Sequence, residues 1–351
     1  VAGERKAKVI PLRADSGRSA AQRRAAQRAD AARQHPSLLS RAGQWPPPDQ
    51  LAEVVGEIDR HRDAEDDVAA PTELAQRIST VADFLRRRMT GDYRVDEFGF
   101  DPHFNENVIL PLLRPWFRSW FRVEVSGVEN LPDSGAALVV ANHAGVLPVD
   151  GLMASVAVHD EHPARRNLRL LAADLVFDLP VISQSARMAG HTMACTADAQ
   201  RLLEAGELTA VFPEGYKGLG KRFQDRYKLQ RFGRGGFVSA ALRTKAPIVP
   251  CSIVGSEEIY PMVADLKLVA RLLGLPYFPI TPLFPLAGAA GLLPLPSKWH
   301  ITFGEPIPTA DYDEGAADDP MVTFELTDHV RETIQQTLYR LLAGRRNVFF
   351  G

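Results

Sequence analysis

From residue 123 onward, short apolar runs alternate with stretches of helical periodicity. Residues 123–128, 136–140, 168–172, 208–212, 247–254 and 299–303 predict strands. The run 247–254 has almost no polar interruption, the pattern of a strand covered on both faces. Residues 148–158, 197–204, 235–244 and 324–342 predict helices. Pro148 suits a first helical turn, where its missing N–H costs nothing, and Gly206 suits a helix stop. Repeated strand–helix units predict an α/β fold with a mixed, largely parallel sheet flanked by helices.

Two apolar stretches depart from this rhythm. Residues 108–121 predict a helix carrying Trp116, Phe117, Trp120 and Phe121, with Arg114, Arg118 and Arg122 as a ridge at every fourth position. Pro111 and Pro115 predict that it is irregular or broken. Such a helix either lies in a membrane interface, its arginines reaching phosphates, or packs on the sheet with its arginines in water. Residues 272–297 hold no charge, yet prolines 276, 279, 282, 285, 294 and 296 interrupt them. That excludes a transmembrane helix and leaves a dip into one leaflet, a lid over an apolar groove, or a buried loop.

Upstream, residues 49–104 predict a helical appendage, with Leu74, Ile78, Val81 and Leu85 on one stripe and a loop-like end in which Phe98, Phe100 and Phe104 stand among acids. Residues 1–48 predict a disordered basic tail whose periodic positions are only alanines, ending in the stiff run Pro46-Pro47-Pro48. Residues 105–351 make the α/β domain.

Composition changes this picture little. The 351 residues are 45% hydrophobic and 24% charged, ordinary for a globular protein, with a net charge of -2. The average conceals a basic block at 1–41 followed by an acidic one at 49–73. The tail has no interleaved aromatics or recognisable nucleic-acid module, so nucleic acid is not an expected partner. Cys195 and Cys251 stand apart in apolar company, which predicts buried thiols in a reducing compartment. With no apolar leader, the expected location is cytoplasmic. The scattered histidines show no metal-ligand spacing, so no metal is expected.

Chemistry concentrates at two strand ends. The run 136–140 leads into Ala141-Asn142-His143-Ala144-Gly145-Val146-Leu147-Pro148-Val149-Asp150. Loops at the carboxyl ends of strands are where ligands sit in α/β sheets. There His143 and Asp150 are either a general base and its partner carboxylate or a loop histidine and a helix-start acid. The run 208–212 leads into Pro213-Glu214-Gly215-Tyr216-Lys217. If both strands end at one edge, Glu214 comes near His143 and can accept a hydrogen bond from a substrate hydroxyl, while Gly215 lets substrate approach the backbone. Lys217, Lys221, Arg222 and Arg226 add positive charge suited to phosphate. Gly215 to Lys221 also matches the opening of a nucleotide-binding P-loop, but Arg222 stands where that motif needs Ser or Thr.

Taken together, these blocks resemble the glycerolipid acyltransferase family that includes the bacterial lysophosphatidic acid acyltransferases. Asn142-His143 with Asp150 is similar to its catalytic block, Phe212-Pro213-Glu214-Gly215 to its acceptor-binding block, and Pro247-Ile248-Val249-Pro250 to its apolar fourth block. The resemblance spans residues 122–304. It implies that His143 deprotonates a glycerol hydroxyl, which attacks an acyl thioester, while Asp150 orients the imidazole. It also implies a coenzyme A or carrier-protein thioester as co-substrate rather than a bound cofactor, a glycerolipid acceptor held by Asn142, Glu214, Gly215, Lys217 and Arg234, and work at the inner face of the plasma membrane as a monotopic protein. Two departures stand out. Six residues separate His143 from Asp150 where the family usually has four, a spacing similar to a diacylglycerol-acyltransferase-like subgroup. A seven-residue step along one straight helix rises about 10 Å, so the loop must fold back. The family's arginine-bearing block corresponds to residues 190–196, which hold no arginine. Lys217, Arg231 or Arg234 then replaces it, or the acceptor has no phosphate. An inactive lipid-binding or scaffold protein of the same fold is the rival from another class.

Overall fold

The computed structural model describes residues 94–350, apart from 179 and 234, together with 86–87 and 90–91. The expected basic tail and nearly all of the helical appendage lie outside the described residues.

Nine strands are present among the described residues: β1 Glu124–Ser126, β2 Ala137–Ala141, β3 Arg169–Ala172, β4 Thr192–Met193, β5 Leu208–Val211, β6 Ile248–Val254, β7 Ala264–Asp265, β8 Pro279–Ile280 and β9 His300–Phe303. Seven form one sheet in the order β1-β9-β6-β2-β5-β3-β4. Every pairing in it is parallel except β6 with β9. The helices are α1 Val149–Glu161, α2 Asp174–Asp178, α3 Pro180–Met188, α4 Thr196–Glu204, α5 Tyr216–Leu219, α6 Gly236–Thr244, α7 Lys267–Leu273 and α8 Pro320–Gly344. The mixed, largely parallel α/β sheet expected from the sequence is the fold.

Strand β2 shows why the apolar runs read so clearly. Ala137, Val139 and Ala141 face one core with Met153 and Val156 of α1, while Leu138 and Val140 face the other with Leu202, Val238 and Ile334. Both faces are buried, so every position is apolar and no polar alternation survives.

The aromatic helix at 108–121 is irregular, as its prolines require. It begins at Asp101, whose carboxylate accepts from the Phe104 amide, and alternates α-turns (Pro102–Phe104, Leu110–Pro115) with π-turns (Asn105–Ile109, Trp116–Trp120). Of its two readings, packing on the sheet holds. Phe117 and Phe121 are core, and Phe121 lies 4.6 Å from the Trp299 ring. Its arginines are held by the protein: Arg114 forks onto Asp160 with two 2.8 Å bonds, Arg118 adds a third, and Arg122 donates to the Trp120 and Phe349 carbonyls. This arrangement pulls the Asp160 carboxyl well below its ordinary range, chiefly through the hydrogen bond from Arg114.

The acid-and-phenylalanine stretch has a local cause. Buried Arg169 on β3 pairs with Asp96 at 2.7 Å and Glu207 at 3.3 Å, and lies 4.6 Å from the centre of the Phe100 ring. One expectation fails at the cysteines. Cys251 is buried, and burial raises its thiol pKa, but Cys195 is exposed and its sulfur caps α4 by accepting from the Asp198 amide.

Candidate active site

Parallel pairing places the two chemical blocks side by side. Val140 of β2 is in register with Val211 of β5, and three residues past each stand His143 and Glu214. Both follow the carboxyl edge of the sheet, where open α/β sheets hold ligands. The main chain of β2 then turns away, and Asn142 carries the sheet pairing onward with its side chain. Its Nδ2 donates to the Ile253 carbonyl at 3.0 Å and its Oδ1 accepts from the Ile253 amide at 2.7 Å.

The loop between His143 and Asp150 does fold back. Gly145 takes φ +81 and passes close to the Ser256 carbonyl, where an added Cβ would stand at 3.0 Å. Pro148 immediately precedes α1, so Asp150 falls in its first turn. The buried Asp150 carboxylate accepts from His143 Nδ1, from the Ala144 amide and from the Gly151 amide, each at 2.8 Å. A carboxylate has no hydrogen to give, so Nδ1 carries the hydrogen and Nε2 is the basic nitrogen. The Phe212 ring lies 4.6 Å from the imidazole at an interplanar angle of 36°. The lengthened spacing thus still yields a His–Asp contact.

Two residues expected to hold substrate have partners within the protein. Asn142 is fully buried and spends both ends of its amide on Ile253. Glu214 is buried with partners on both oxygens: Oε1 accepts from the His143 amide at 2.9 Å, and Oε2 accepts from the Gln230 amide at 2.7 Å beside Lys221 Nζ at 3.4 Å. Lys221 is buried too, donating to Glu257 at 3.0 Å, so it is not a surface cation awaiting phosphate or the lysine of a P-loop. Burial pushes the Glu257 carboxyl up to about 7, against the opposing pull of Lys221. Gly215 and Lys217 are exposed, at the start of the short helix α5. Arg234 lies outside the described residues.

Two residues at the site carried no signal of their own in the sequence. A Cβ on Gly218 would stand 2.6 Å from the His143 carbonyl and 3.0 Å from its Cβ, so only glycine lets α5 press against the histidine. Tyr277, far along the chain, donates its hydroxyl to the Val146 carbonyl inside the loop from His143 to Asp150. Among the described residues, no group of three or more His, Cys, Asp and Glu is placed to hold a metal ion.

Residues 122–254, which contain His143, Asp150, Glu214 and Lys221, match the family model described as Acyltransferase. The chain carries an acyltransferase-family domain. Over its full length it is 74% identical to an uncharacterised protein of Mycobacterium tuberculosis (strain ATCC 25618 / H37Rv), covering 99% of that protein, and 71% identical to one of Mycobacterium leprae, covering 98%. It is 26% identical over 223 residues to a human protein named "DGAT1/2-independent enzyme synthesizing storage lipids", an alignment covering 62% of this chain and 60% of that enzyme. The crystal structure of the 1-acyl-sn-glycerophosphate (LPA) acyltransferase PlsC from Thermotoga maritima superposes with a TM-score of 0.47 and 20% identity, over 70% of this chain and 82% of that one. Within the acyltransferase domain, the His143–Asp150 pair sits at the loop after β2 and the Glu214 block at the neighbouring loop after β5.

Proposed function

We propose that the protein moves a fatty acyl group from a coenzyme A or carrier-protein thioester to a glycerolipid hydroxyl, with His143 as general base. The observation that carries this reading is the 2.8 Å contact of His143 Nδ1 with the buried Asp150 carboxylate, which leaves Nε2 to take a proton. As Nε2 removes the hydroxyl proton, the oxygen attacks the thioester carbonyl. The tetrahedral oxyanion collapses, the carbon–sulfur bond breaks, and the imidazolium returns its proton to the departing thiolate. Asp150 fixes the tautomer and stabilises the imidazolium between these transfers. The acyl chain enters with the thioester, and the lipid acceptor draws the work to the inner face of the plasma membrane.

A neutral acceptor such as mono- or diacylglycerol is favoured over a lysophospholipid by the charges around the site. Lys221 is consumed by Glu214 and Glu257, and residues 190–196 carry no arginine. Burial and the nearby Asp174 and Asp178 hold the Tyr216 hydroxyl pKa above its ordinary value, so two acids lie beside α5 together with the exposed Lys217 that it carries. The human relative's name, which speaks of storage lipids, agrees. Release of free thiol from an acyl thioester, measured with diacylglycerol, monoacylglycerol, lysophosphatidate or no acceptor, tests both points. Faster release with either neutral acceptor supports the reading, and a preference for lysophosphatidate returns the site to a phosphorylated substrate. Lipid binding with no acceptor-dependent release would identify an inactive scaffold.

A further inference from the structure

The hairpin β7–β8 and the chain that follows it make an apolar surface for which the acyltransferase chemistry has no use. Helix α7 fills the connection between the two strands, and Leu268 and Leu272, one turn apart on it, are 79% and 86% exposed. A second lobe follows, where Gly291 lies so close to Leu283 and Phe284 that a Cβ would stand 2.7 Å from the Leu283 carbonyl. At this lobe Leu286 is 91% exposed. Single exposed leucines are ordinary, but a run of them on two neighbouring lobes marks an interaction surface. Lys267 and Arg271 stand among the leucines of α7, and no carboxylate occurs from Leu266 to Gly304.

We propose that residues 263–293 dock on an anionic lipid bilayer, the leucines of both lobes entering the acyl layer while Lys267 and Arg271 meet headgroup phosphates. Charge selects this occupant. A second copy of the chain seated on the same face by two-fold symmetry would bring Lys267 and Arg271 against their own counterparts, with Asp265, which already accepts from the Phe278 amide, as the segment's one acid to pair them. A bilayer supplies apolar depth and negative charge together. Among the described residues no helix is long and apolar enough to cross a membrane, so the contact is with one face. The surface is braced to the site, since Tyr277 donates to Val146 in the catalytic loop and Trp120 Nε1 donates to the Pro294 carbonyl at 3.0 Å. Docking therefore sets the catalytic loop at the lipid surface. The proposal rests on the lipid-acyltransferase reading for its purpose but is tested without turnover.

The test is co-sedimentation of the full chain with phosphatidylcholine vesicles, with and without phosphatidylglycerol, for wild type and for the triple variant Leu268→Ser, Leu272→Ser, Leu286→Ser. These side chains are exposed, so the melting temperature serves as a control for folding. The expected result is at least a tenfold loss of partitioning on both vesicle types. Lys267→Ser with Arg271→Ser should weaken binding to phosphatidylglycerol vesicles alone, by about fivefold per charge. Wild-type partitioning by the triple variant would overturn the proposal. So would a wild-type dimer that the triple variant converts to monomer with no change in vesicle binding. Intact vesicle binding with no acyl transfer would instead sink the proposed activity and leave the docking surface standing.

Discussion

The loops after β2 and β5 start from the same edge in the same register, and each delivers a buried carboxylate to His143. Asp150 arrives from seven residues along and meets the ring, whereas Glu214 arrives three residues past its strand and meets the backbone amide. The longer route lets the chain turn at Gly145 and approach the imidazole from the helix side. The short one ends level with His143 and reaches only its main chain. One carboxylate therefore touches the imidazole and the other only its main chain. Glu214 does this with Lys221 and Glu257 behind it, a buried set whose members satisfy one another.

The contrast breaks most readily at Asp150. Asp150→Asn should lower kcat by about 10²- to 10⁴-fold with the protein still folded, because an amide no longer fixes the tautomer or stabilises the imidazolium. A steady-state comparison with wild type checks it, and an unchanged kcat would reduce Asp150 to a helix-start acid. Gly218→Ala probes the wall that Glu214 supports. An added methyl must push His143 aside, and a shift near 1 Å should cost about 100-fold in kcat, together with about 1–3 kcal/mol of stability from overpacking. Glu214→Gln should act first on stability, by about 2–3 kcal/mol in denaturant unfolding, since its new N–H₂ accepts nothing and leaves either the His143 amide or the Gln230 amide and Lys221 without an acceptor. A loss of kcat as large as that of Asp150→Asn, without any loss of stability, would erase the distinction between the two acids.

The smallest effect lies away from both loops. Desolvation and the charge of Arg169 push the His191 imidazole down to about 4. A folded pKa below the unfolded one means stability present above about pH 6.5 and lost as pH falls toward 4. His191→Gln should flatten the fall in melting temperature across that window, as thermal unfolding at successive pH values would show.

Much of this was legible along the chain, for reasons that differ by element. The central strands showed because burial on both faces leaves them uniformly apolar, and β2, β5 and β6 end within a residue of their expected limits. The fold-back of the loop followed from the length of the His143–Asp150 step together with Gly145 and Pro148. Strand β4, the hairpin β7–β8 and the short helices α2, α3, α5 and α7 were not legible, since elements this short take their shape from contacts distant in sequence. The burial of Asn142, Glu214 and Lys221 was not legible either. Each is a polar residue at a loop, and nothing local distinguishes one that faces substrate from one that closes a backbone gap. Tyr277 reaches the His143–Asp150 loop from more than a hundred residues away, a contact that only the folded chain reveals.

The central claim is that His143 Nε2 removes the acceptor's proton, and the direct measurement is acceptor-dependent acyl transfer by purified wild type and His143→Ala. Both proteins are given the same acyl thioester and glycerolipid, and ester product is followed by mass spectrometry. The account predicts steady product formation by wild type and its reduction to the uncatalysed background in His143→Ala, with the melting temperature unchanged. Product formed by His143→Ala at the wild-type rate would contradict it.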